Sequence, residues 1–80
     1  MPATLTPRSQ WTARQCTLAA GYHELRRLTG EAIDALGPRY PHAELWSDPS
    51  EPAAHIRAML ANEYNVRLAC LANGFDPSEY

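Results

Sequence analysis

An all-α hairpin of two long helices with a Pro-rich connection, pairing with a second copy into a four-helix arrangement, is the fold this sequence predicts. Three observations carry it. Strand formers are scarce: two Ile, one Val and five Thr stand against 13 Ala and nine Leu among 80 residues. Apolar positions recur at helical spacing over two long stretches. The segment from Gly37 to Pro52, which joins the stretches, holds four of the seven prolines.

The first stretch predicts helix 1 over about 7–36, after a short leader over 1–6. Thr6 reads as the N-cap and Pro7 as the first helical residue, where a missing N–H costs nothing. Trp11, Leu18, Tyr22, Leu25, Ala32, Ile33 and Leu36 cluster on one face. Cys16, Ala20, His23, Glu24, Arg27, Glu31 and Asp34 fall opposite, with Glu24, Arg27 and Glu31 spaced for ion pairs along the helix. Gly37 and Pro38 end it. Gly30, inside the helix, is the place where a break is expected if there is one.

Residues 37–50 form the connection, longer than the usual two to eight residues between packed helices. Pro41 opens a single turn over His42 to Trp46. Tyr40, Leu45 and Trp46 are costly to leave in water and are expected to pack on something. Helix 2 follows over about 51–73, capped by Ser50 with Pro52 in the first turn, where its N–H is not needed. Asn73 and Gly74 close it, Phe75 is placed to fold back near Cys70 and Leu71, and the last five residues form a tail.

Helix 2 carries an apolar arc wider than one neighbouring helix covers: Ala53, Ile56, Met59, Leu60, Tyr64, Val66, Cys70 and Leu71. Glu63 and Arg67 lie within it, spaced four apart as an intrahelical pair. Such a pair belongs either to the monomer or to an interface with a second chain, in which case Glu63, Arg67, Tyr64, Met59 and Val66 line that interface. Two helices alone do not enclose a core, which favours a homodimer. The alternative is a monomer in which the connection folds back as a third layer, with Trp46 plugging the open side.

Composition narrows the function. A net charge of -2 and the lack of a basic stripe argue against direct nucleic-acid binding. No apolar run approaches the roughly 18 residues of a membrane span, and no signal-peptide pattern opens the chain, so a cytoplasmic protein is expected. His23, His42 and His55 have no helical ligand spacing and the cysteines form no C-x-x-C pair; no metal and no cofactor are expected. Cys16 points to the wet side of helix 1 and Cys70 to the packed side of helix 2, which predicts two free thiols. Nucleophile pairs, phosphate loops and paired carboxylates are also missing, so the chain reads as a non-enzyme.

What remains is a protein that works by presenting a surface. Arg39, Tyr40, Leu45 and Trp46 in the connection supply the aromatic and Arg content of binding hot spots. Trp46 and Tyr40 can alternatively cap the core, Trp46 somewhat more readily than Tyr40. A compact, lysine-free chain without a catalytic motif resembles the small phage-encoded inhibitors of host defence, the anti-CRISPR proteins among them. The resemblance covers size and the absence of chemistry over the whole chain and carries no diagnostic motif. It implies a host protein or ribonucleoprotein as partner, with Glu31 and Asp34, beside Glu24, Glu44, Asp48 and Glu51, offered to a nucleic-acid-binding surface. The other reading is a homodimeric structural or accessory protein, such as a phage assembly factor or the partner of a regulator.

Overall fold

The computed structural model describes residues 4–80; the first half of the leader, residues 1–3, lies outside them. Two 22-residue helices, α1 (Ala13–Asp34) and α2 (Glu51–Ala72), run antiparallel, and no strand occurs among the described residues. Single 3-10 turns stand at Arg8–Gln10, His42–Glu44 and Pro77–Glu79. The register follows from three levels one heptad apart: Ala19 clusters with Cys70, Arg26 faces Glu63, and Ile33 packs at Ile56.

Helix α1 begins at Ala13, later than the expected start at Pro7. Thr12, and not Thr6, is the N-cap: its hydroxyl accepts from the Gln15 amide while the Gln15 side chain accepts from the Thr12 amide, a reciprocal box. The preceding segment is held by tertiary contacts instead. Thr6 N–H donates to the Gly74 carbonyl (2.7 Å), the Trp11 indole donates to the Thr6 carbonyl (3.0 Å), and the Trp11 ring meets Phe75 edge-on. These contacts turn the chain away from the α1 axis before the helix starts. At Gly30 the helix runs on unbroken, because a helical glycine costs only about 1 kcal/mol and the flanking turns are anchored by the buried Thr29 and by Ile33.

Helix α2 ends as its sequence implies. The Gly74 N–H donates to the Leu71 carbonyl and the Phe75 N–H to the Cys70 carbonyl, with Gly74 at φ +87°. This reversal needs a positive φ, and it swings Phe75 onto Cys70 and Ala19, where it is fully buried. Ser50 caps the other end, accepting from the Ala53 amide, with Pro52 in the first turn.

Two apolar clusters result. One holds Ala19, Cys70 and Phe75 with Trp11 and Val66 against them. The other holds Leu45, Ala53 and Ile56 with Ala32, Ile33, Leu36, Tyr40 and Leu60 around them. The last five residues are not a loose tail: Pro77 is fully buried, its carbonyl lies 3.1 Å from the His23 Nε2, and Tyr80 lies between His23 and the Arg8 guanidinium. Both cysteines are free, Cys16 exposed and Cys70 buried, and burial pushes the Cys70 thiol pKa up. Among the described residues no helix is long and apolar enough to cross a membrane.

Candidate functional site

The connection folds back on the open end of the hairpin, as a third layer would, but Leu45 is the plug. Leu45 is buried against Ala53 and Ile56, and Tyr40 packs half-buried beside them. Trp46, one residue on, points outward and is 67% exposed. The two neighbours cannot both face inward across one tight turn, and the smaller aliphatic side chain takes the inner place. The expectation that Trp46 caps the core more readily than Tyr40 is therefore reversed.

What holds this loop is Arg57, half-buried on α2. Its Nη1 donates to the carbonyls of Leu45 (2.7 Å) and Asp48 (2.6 Å), one on each side of Trp46. Charged donors to backbone carbonyls are among the stronger hydrogen bonds in proteins. A second tie joins the loop to its own start: the Tyr40 hydroxyl donates to Asp48 Oδ2 (2.6 Å), while Asp48 Oδ1 accepts from the Ser50 amide (2.8 Å). The Tyr40 bond, followed by those of Ser50, holds the Asp48 carboxyl below its usual value, and the same bond, with burial next, pushes the Tyr40 pKa up to about 12. Leu45 below, Arg57 across and Asp48 at the exit fix the loop, so Trp46 is presented from an ordered frame.

The other expected residues are spread over the molecule. Arg39 is exposed beside Tyr40. Glu31 and Asp34 are exposed on α1, where Arg27 bonds both Glu24 and Glu31 and leaves that face less acidic than its carboxylates suggest. Glu63 and Arg67 do not pair with each other. Glu63 turns to α1, its side chain 13% exposed and its Oε1 3.9 Å from the Arg26 Nε, and its Oε2 has no hydrogen-bond partner among the described residues. Arg67 reaches Asp76 across the helix end (3.3 Å), where Asp76, held below its usual pKa first by Ser78, also caps the last turn. Tertiary partners thus outcompete an i,i+4 pair worth only a few tenths of a kcal/mol. Val66 packs half-buried on the Phe75 cluster, Met59 is half-buried, and Tyr64 is 64% exposed.

Sequence reasoning missed Arg57 as the loop's anchor. Nothing local marks it, since its acceptors are backbone carbonyls nine and 12 residues earlier. The Asp48 role was more legible: an Asp two residues before a Ser N-cap, next to Pro49, has the form of a side chain that bonds the backbone ahead of it. Among the described residues no group of three His, Cys, Asp or Glu side chains is placed to hold a metal ion. Comparison with family models, with curated proteins and with solved structures finds no match to this chain.

Proposed function

We propose that the protein is a non-catalytic, protein-binding inhibitor that engages its target through the 37–50 loop. One observation carries this reading: a Trp that is 67% exposed stands between two carbonyls clamped by a single buried-side Arg. Leaving so large an aromatic in water is unfavourable for the free protein, and fixing it there removes the ordering cost that binding would otherwise incur. Arg39 and Tyr40 lie at the start of the same loop and Glu44 and Glu51 are exposed beside it, which gives an aromatic centre with a charged rim.

The more specific form of the proposal is an anti-CRISPR role, with the loop and its acidic rim set against a nucleic-acid-binding surface of a CRISPR effector complex. Its support is the resemblance in size and character together with the exposed carboxylates. The test is a pull-down from host lysate with the wild-type protein and with Trp46→Ala. Recovery of a stoichiometric defence ribonucleoprotein by the wild type, weakened about thirtyfold by Trp46→Ala, is the expected result. Full retention of the target by Trp46→Ala, Arg39→Ala and Tyr40→Ala alike would remove the loop from the binding site. The second reading, a homodimeric accessory protein, is favoured by the apolar side chains exposed on both helices, Leu18, Leu28, Tyr64 and Leu68. A virion or polymerase component in the same pull-down would select it.

A further inference from the structure

Every polar group of Asp48 is engaged, and Asp48 stands two positions after Trp46. Its N–H donates to the Glu44 carbonyl (2.8 Å) and its carbonyl accepts from the Arg57 Nη1 (2.6 Å). Its Oδ1 accepts from the Ser50 amide (2.8 Å) and its Oδ2 from the Tyr40 hydroxyl (2.6 Å). These bonds join the start of the loop, the turn beneath Trp46 and α2. On the other side of Trp46, Leu45 is buried, its N–H donates to the His42 carbonyl (3.1 Å), and its carbonyl accepts from the same Arg57 Nη1. The backbone on both sides of Trp46 is thus fixed by bonds in which the Trp46 side chain has no part.

The same bonds limit what Tyr40 and Arg57 can offer a partner. The Tyr40 hydroxyl gives its one proton to Asp48, and its ring is half-buried on the Leu45 cluster. Arg57 Nη1 has both protons on loop carbonyls. Donating from either group to a partner would first break a bond that the free protein already makes. Given the loop as the contact surface, the reading on which this rests, we propose a division of labour within it. Trp46 touches the partner, while Tyr40, Asp48 and Arg57 are positioning residues that act on binding through Trp46. Loosening the frame lowers the fraction of molecules in which Trp46 is held ready, and apparent affinity falls with that fraction. Once Trp46 is removed, the frame has nothing left to hold. The residues are therefore non-additive in binding, and Tyr40 gives up the contact role that its aromatic character suggests.

Two measurements test this, the first on the free protein. The Trp46 signal is the difference between each protein and the same protein carrying Trp46→Phe, which cancels Trp11. Arg57→Ala and Tyr40→Phe should each lower the fluorescence anisotropy of Trp46 and its near-ultraviolet circular dichroism, with far-ultraviolet helicity unchanged. Arg57→Lys should restore part of both, since an ammonium still donates to the two carbonyls. Unchanged Trp46 anisotropy in both Arg57→Ala and Asp48→Ala overturns the positioning role. The second measurement uses as its probe the complex that the wild-type chain recovers from host lysate, purified and titrated. Arg57→Ala and Tyr40→Phe should each weaken its binding about fivefold. With Trp46→Ala already present, the further loss should be less than about twofold. Losses that add in full to that of Trp46→Ala would place Tyr40 or Arg57 against the partner and overturn the division of labour. Full affinity in Trp46→Ala alone removes the loop as the contact surface, and the binding role of the frame falls with it; the order of Trp46 in the free protein stands or falls on the first measurement.

Discussion

The two ends of the hairpin are closed by the same device, a segment folded back over the gap between the helices, and they finish differently. At the terminal end, Phe75 and Pro77 are fully buried and Trp11 packs on Phe75, while Tyr80, 47% exposed, lies beside His23 and Arg8. At the loop end, Leu45 fills the gap, and the larger Trp46 beside it is left in water. The terminal end packs Phe75 and Trp11 into its closure. The loop end closes with an aliphatic plug, fixes its backbone with hydrogen bonds and leaves its largest side chain unspent. That difference separates a structural pole from a presenting pole in a molecule of only 80 residues.

The largest expected effect that tests this contrast is Phe75→Ala. Truncating a fully buried Phe costs about 3–5 kcal/mol, a large share of the roughly 4–12 kcal/mol available to a domain of this size. Denaturant unfolding followed by circular dichroism measures it, and a loss below about 1 kcal/mol would mean that the terminal end is not the structural pole. Arg57→Ala comes next, at about 2 kcal/mol, since two carbonyls lose a charged donor. Hydrogen exchange at Ser47 and Asp48, whose amides bond within the loop turn, should quicken.

The third effect is set by pH. Tyr40 must stay protonated to donate to Asp48, and its folded pKa of about 12 exceeds the usual value of 10. Its contribution is complete below pH 10 and fades as pH rises toward 12. Asp48 is shifted the other way, so its contribution is present above the usual 3.8 and is lost as pH falls below that. Tyrosinate absorbance should show a late component that disappears in Tyr40→Phe. Smallest of all, Trp46→Ala and Cys16→Ser should each change stability by no more than about 0.5 kcal/mol, the usual range at exposed positions. A larger loss in Trp46→Ala would make Trp46 part of the closure and erase the contrast.

Much of the fold was legible because its signals are local. Ser50 with Pro52, the Asn73–Gly74 stop and the return of Phe75 act within a few residues, and each stands as the sequence implies. The start of α1 was not legible: Thr6 followed by Pro7 reads as the start, and the helix begins instead after Thr12, whose capping box with Gln15 was missed. What decided between them is the long-range bond from Thr6 to Gly74, which no local pattern contains. The same holds for Glu63, Arg67 and Arg57, whose partners lie on other segments. The candidate loop was visible as Pro-rich and aromatic. Which aromatic faces outward was not, because that depends on the competition between Leu45 and Trp46 for one cavity.

The chain has two tryptophans, one at each pole, and this makes the molecule its own optical instrument. Trp11 is half-buried with its indole N–H bonded to a carbonyl, and Trp46 stands in solvent. Their emission should differ in wavelength and in access to a soluble quencher, with the red-edge, easily quenched component belonging to Trp46. Opening of the terminal clasp and occupation of the loop therefore register in separate parts of one spectrum, with no label attached.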